Sequence, residues 1–179
     1  MSSEQPTLAT RVADLRRSFD ESFANRPSES AADESSFLGI RSGEGRYVVR
    51  LEEVGGLFVD KIVAPLKGRL PELLGMAGIR GNVVPVFALG RLLGEPPATA
   101  IPRWLLVAAH SAVGFAFDAF DGYLRAPASA VASAEGESFQ VSAREILRVG
   151  TEARTIIGIQ RLIEAIGNRA GVAAAHKEH

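Results

Sequence analysis

Few residues of this chain carry chemistry, and those that do are scattered. The three histidines are His110, which falls at a turn between two apolar runs, and His176 and His179 near the C-terminus. A lone turn histidine faces solvent, and Ser111 beside it has no histidine–acid arrangement around it. Asp118 and Asp121 are close in sequence but lack a cluster of further metal ligands, so they read as strand-end and turn residues. Gly75, Gly78 and Gly81 have the wrong spacing for a dinucleotide loop, and no Gly-x-x-x-x-Gly-Lys-Ser/Thr phosphate loop occurs. The chain has 0 cysteines, which removes disulfides, thiol nucleophiles and cysteine-held metals. Arg80 is the residue out of character. It stands between Ile79 and Gly81 in an otherwise apolar segment, so it must reach solvent along its own methylenes or find a hydrogen-bonded acidic partner. This inventory predicts no catalytic set, no cofactor and no metal, and leaves binding as the class of function.

The segment that must position Arg80 runs from Leu73 to Gly94. Its glycines at 75, 78 and 81 predict a tight turn region, where crowded or left-handed backbone is cheap only without a Cβ. Val83–Phe87 is a short, β-branched apolar run and reads as a buried strand. Pro85 has no N–H, which predicts an edge or a bulge for that strand. Leu89, Leu92 and Leu93 then fall at helical spacing before Gly94, as in a single helical turn with a glycine stop.

Upstream, Leu8, Val12, Leu15, Phe19 and Phe23 form one apolar stripe, so residues 1–24 predict an amphipathic helix that packs on its own domain or on a partner. Residues 25–36 are small and polar and read as a flexible linker. From Phe37 the pattern is β. Phe37–Arg41 and Arg46–Leu51 flank a glycine-rich hairpin turn, and Leu57–Ala64 is a strand closed by Pro65. Residues 95–102 make a proline-stiffened loop. Trp104–Ala109 and Ala112–Phe120 predict a second hairpin around His110-Ser111, continued by residues 122–127. Short strands follow at 139–141, 146–149 and 155–158. Ile159, Leu162, Ile163 and Ile166 share one face of a closing helix over 159–167 that Gly167 ends, and residues 170–179 read as a frayed tail. Many short strands with brief helices define a mainly β chain of barrel or sandwich class.

Composition narrows the partners. A formal net charge of −1 and scattered arginines argue against nucleic acid and anionic lipid surfaces. No run of about twenty apolar residues predicts a membrane span, and residues 1–6 lack the start of a signal peptide. A cytoplasmic protein is the expectation.

The ordered pattern Gly75-x-x-Gly78-Ile79-Arg80-Gly81-x-x-Val84-Pro85-Val86-x-x-Leu89-x-x-x-Leu93-Gly94 resembles the signature of the CheW family, scaffold proteins that link chemoreceptors to the histidine kinase CheA. Ala112–Phe120 resembles that family's second signature, a Gly-hydrophobic-hydrophobic-Val-Asp strand. The resemblance covers about 130 residues and not the N-terminal helix. It implies two small five-stranded, SH3-like β-barrels sharing a hydrophobic seam, near 37–100 and 101–158, within a domain over 37–169. It implies a non-enzymatic adaptor whose partners are a CheA-type histidine kinase and the cytoplasmic tip of a chemoreceptor. The positions matching the family's contact residues are Val54, Gly75, Arg80 and Gly81, with Arg80 ordering the turn through hydrogen bonds. The chain departs from the pattern at Gly78, where asparagine is usual, and at Ala88 and Gly158, where polar residues are. Gly56 stands where members often carry a glutamate that pairs with the motif arginine, which leaves Glu52, Glu53 or nothing for Arg80. The alternative is a divergent module that uses its N-terminal helix to bind another partner or to oligomerise.

Overall fold

The computed structural model describes residues 34–66, 70–96, 102–133 and 145–175, the last five by backbone alone. The expected helix over 1–24 and the expected strand at 139–141 lie outside these residues, as does most of the expected linker.

Twelve strands are described, in two six-stranded sheets. One sheet runs β10 (Val131–Ser133), β11 (Glu145–Val149), β12 (Glu152–Ile157), β2 (Gly45–Arg50), β1 (Glu34–Ser42), β9 (Ala119–Pro127). The other runs β3 (Val54–Val59), β7 (Trp104–Ala108), β8 (Gly114–Phe117), β6 (Asn82–Ala88), β5 (Leu73–Ile79), β4 (Val63–Pro65). The strands therefore group differently from the halves 37–100 and 101–158. The second sheet is one unbroken stretch of chain inserted into the first, whose strands come from both ends of the domain. We call them the inserted and the terminal sheet.

The splice that joins the two halves of the terminal sheet is the parallel pairing of β2 with β12, Val48 opposite Ile156 and Val49 opposite Ile157. Alternate side chains of a strand point to opposite faces. Val48 and Ile156 accordingly enter the terminal sheet's own core with Phe37 and Leu147, while Val49 and Ile157 enter a second core between the sheets. That central core also takes Phe87, Leu106, Phe115 and Phe117 from the inserted sheet. A third core, inside the inserted sheet, holds Ala77, Ile79, Val84, Val86, Leu105 and Ala116. The one-turn helix α1 (Leu89–Leu92) and the C-terminal helix α2 (Ile159–Ala175) seal the central core with Leu89, Leu92, Ile159 and Leu162. The expected apolar face of α2 is the one that packs, since Ile163 and Ile166 lie against the same core.

Several local expectations are corrected. β1 starts at Glu34, so the last linker residues are strand. The run Leu57–Ala64 is two strands, broken where Asp60 takes φ 52, a left-handed conformation that aspartate tolerates better than most residues. Arg103 clamps that break: its Nε and Nη2 donate to the two Asp60 carboxylate oxygens at 2.8 and 2.6 Å. β9 does not continue β8 but crosses to the terminal sheet after Asp118. Helix α2 runs through Gly167 and Arg169 to Ala175, where an end at 167 and fraying beyond 169 were expected. Arg169 is tied back to Glu72 at 2.6 Å, a tertiary contact that follows the glycine and holds the helix on.

β6 also lies inside its sheet, not at an edge, despite Pro85. Pro85 pairs with Met76 of β5, but the parallel ladder to β8 begins only at Val86. Counted from the hairpin end, Pro85 occupies a non-hydrogen-bonded position, so its nitrogen points away from β5 and past the end of β8. No ladder bond is lost.

Candidate functional site

Only the end of the expected glycine turn is a turn. β5 and β6 pair up to Ile79 opposite Asn82, leaving Arg80-Gly81 as a two-residue hairpin loop. Both take positive φ, 50 and 83. That is the mirror-image turn whose twist suits antiparallel strands, and it explains the glycine at 81. Arginine in this conformation costs roughly 1–2 kcal/mol. Arg80 is exposed, and its guanidinium lies over the Phe58 ring, 5.6 Å from the centroid. Lys61 places its ammonium over the same ring, also at 5.6 Å. Neither cation has a carboxylate partner among the described residues. The motif arginine is therefore stacked on an aromatic ring, where ordering through hydrogen bonds was expected. Glu53, one of its candidate partners, instead accepts from the Gln160 N–H at 3.4 Å, with its negative charge at the positive end of α2.

The other two site residues lie elsewhere. Gly75 is buried at the far end of β5 with φ 155, and a Cβ there would come within 2.0 Å of the Ala64 carbonyl oxygen. The ladder to β6 slips by one residue at this point, so Gly75 lets β4 and β6 both approach a bulged strand. Gly75 and Arg80 are five positions apart, about 16 Å of strand. Val54 begins β3 opposite Ala108 and packs on the central core. Arg80 and Gly81 share the hairpin tip, whereas Val54 and Gly75 support the sheet that carries it.

A feature without any sequence signal joins the two sheets. A cleft of about 590 Å³ lies between the β1–β2 hairpin, β4, α1 and the segment after it, with Ser42, Val63, Pro65, Gly90, Glu95 and Asp118 in its walls. The Ser42 hydroxyl donates to Glu95 Oε2 at 2.8 Å, and the Tyr47 hydroxyl to Oε1 at 2.7 Å. Burial first, and then the Glu95 carboxylate, push the Tyr47 hydroxyl well above the ordinary tyrosine range. Glu95 follows α1 of the inserted sheet, and both donors belong to the terminal sheet. One carboxylate thus latches sheet to sheet at the cleft wall. Gly90 leaves room for it, since a Cβ there would lie 2.6 Å from Glu95 Oε2.

The remaining polar candidates have structural places. His110 is exposed in the loop between β7 and β8. Asp118 accepts from the Gly43 N–H at 2.7 Å, and Asp121 lies 3.8 Å from Arg154. On the terminal sheet Arg50 meets Glu145 at 2.8 Å, which holds that carboxyl below the usual glutamate range.

A family profile, the CheW-like domain, matches residues 36–166. The chain belongs to that family. Its fold is similar to the crystal structure of the scaffolding protein TtCheW from Thermoanaerobacter tengcongensis, with a TM-score of 0.64 and 13% identity, covering 72% of this chain and 91% of that one. No curated protein matches the chain significantly. Among the described residues no helix is long and apolar enough to cross a membrane.

Proposed function

We propose that this chain is a non-enzymatic adaptor that couples chemoreceptor tips to a CheA-type histidine kinase. Family membership supports a coupling role in general, and the observation that carries the finer reading is the hairpin tip. Arg80 and Gly81 of the family signature form the turn itself, and the arginine is exposed with no anionic partner among the described residues. On this reading each sheet closes as a small barrel, and two binding surfaces are presented at a separation fixed by the central core and the Glu95 latch. Val54 and Gly75 act by shaping the inserted sheet. Tagged full-length chain, wild type and Arg80→Glu, should be tested in pull-downs with kinase and receptor cytoplasmic fragments. The charge reversal is expected to weaken at least one partner by about tenfold with the fold intact. Unchanged capture of both would remove Arg80 from the site.

A second reading is favoured by the 35 residues that precede the family match. Their apolar stripe recruits a different partner in that case, and deleting residues 1–36 abolishes partner binding. Under the coupling reading the deletion leaves coupling in place.

A further inference from the structure

Strand β3 carries two adjacent glycines with different duties. The ladder to β7 slips between Val54 and Gly56, which makes Gly55 the bulged residue, and a Cβ on it would lie 2.7 Å from the Ala108 carbonyl oxygen. Gly56 meets a side chain instead. The three atoms nearest to a Cβ built there are carbons of the Phe58 ring, at 2.8, 3.1 and 3.8 Å. Residues 56 and 58 share a face of the strand, so the ring lies back along β3 with the glycine as its seat. Gly56 does not take a positive φ. The ring, and not the backbone, is what keeps this position small.

The same ring gathers the cations of the region. Leu57 turns to the central core, whereas Phe58 is half-buried against the core of the inserted sheet. The Arg80 guanidinium reaches it from the β5–β6 hairpin tip and the Lys61 ammonium from the turn after β3, each 5.6 Å from the ring centroid. Neither cation has a carboxylate partner among the described residues. An aromatic face attracts a cation through its quadrupole. An exposed arginine without such a partner samples many rotamers, and fixing it on binding costs free energy.

We infer that Phe58 is a positioning residue for Arg80: its ring, seated on Gly56, holds the guanidinium at one place on the hairpin tip. A partner then meets a preorganised cation instead of a mobile one. The inference deepens the coupling reading and rests on it for what the partner is. Lys61 shares the ring without belonging to the hairpin and serves as the internal comparison.

The test uses the isotope-labelled full chain with kinase and receptor cytoplasmic fragments. In the free wild-type chain the Arg80 side-chain protons are expected upfield of ordinary arginine positions through the ring current. Phe58→Leu should return them to ordinary positions, and Phe58→Tyr should keep the shift. Gly56→Val pushes the ring off its seat and should also return them, with the amide spectrum of the sheets otherwise intact. Titrations then use the fragment that Arg80→Glu weakens. Phe58→Leu and Gly56→Val should each lower its affinity about fivefold, with Phe58→Tyr close to wild type. The loss should vanish in an Arg80→Ala background and persist in a Lys61→Met one. Ordinary Arg80 positions in wild type, wild-type shifts in Gly56→Val, or a Phe58→Leu loss that persists without Arg80 would each overturn the inference. Should Phe58→Leu not fold, Gly56→Val decides in its place. Binding of neither fragment, or binding indifferent to Arg80→Glu, fails the coupling reading alone, because the ring-current shifts are read on the free chain.

Discussion

The two sheets share a core and differ in what they turn outward. The terminal sheet is laced with ion pairs: Arg50–Glu145, Arg154–Asp121 and Arg46–Glu152 join its strands, and Arg154–Glu152 lies along β12. Among the described residues the inserted sheet has Arg103–Asp60 at two of its strand ends and Glu72, just before β5, paired with Arg169 of α2. Two outward rows on β4–β6, Gly78 with Val83 and Ala64 with Met76 and Pro85, carry no charge. The terminal sheet is also the harder one to assemble, because β2 must find β12 roughly a hundred residues away. The terminal sheet is thus tied by charges as well as by its core, whereas the inserted sheet is contiguous in sequence and carries two bare outward rows.

The sharpest way to break this comparison is to remove what the sheets share. Phe115 is 1% exposed in the central core, and Phe115→Ala is expected to cost about 3–5 kcal/mol. Urea unfolding followed by Trp104 fluorescence and by far-ultraviolet dichroism should shift together; separate transitions would show that the sheets do not depend on one another. Next come two glycines of one strand. Gly75→Ala drives a Cβ against the Ala64 carbonyl and should cost about 3 kcal/mol. Gly78→Ala, in open space on the same strand, should be neutral or stabilising by up to about 1 kcal/mol. Equal effects in thermal unfolding would refute the assigned roles.

The latch and the ion pairs give smaller effects with opposite pH dependence. Tyr47→Phe removes a donor from Glu95 and should cost about 1–2 kcal/mol at neutral pH. Because the folded state raises the Tyr47 hydroxyl, its contribution is fully present below the ordinary value of about 10 and is lost as pH rises beyond it. Wild type should therefore lose stability above about pH 10 more steeply than the phenylalanine variant. Glu145 is held low by Arg50, so its contribution is present above the ordinary glutamate value of about 4.3 and disappears on acidification through the lower folded value. Glu145→Gln should cost about 0.5–1 kcal/mol at pH 7 and nothing at the acid end, measured as urea midpoints across pH.

What could be read in the residues follows from how local each signal is. The hairpins β1–β2 and β7–β8, the turn of α1 and the packed face of α2 all rest on spacing within a few residues, and these were legible. The nesting of one sheet inside the other was not, because a parallel pairing between Val48 and Ile156 leaves no mark on either strand alone. The density of glycines at 75, 78 and 81 suggested one turn, yet each glycine has its own reason. Gly75 yields to a neighbouring backbone, Gly81 supplies a positive φ, and Gly78 answers to nothing inside the molecule. Arg80 and Gly81 could be picked out from turn chemistry and family pattern. Phe58, Lys61 and the Glu95 latch could not, since they reach their partners only through the tertiary fold.

The most direct measurement of whether the inserted sheet is the contact surface is a hydrogen-exchange footprint of the full chain, alone and mixed with kinase and receptor cytoplasmic fragments. Added protection at residues 61–65 and 76–85, with the strands β9 to β11 unchanged, is the predicted result. Protection confined to β9, β10 and β11, with the β5–β6 hairpin exchanging as in the free chain, would contradict it.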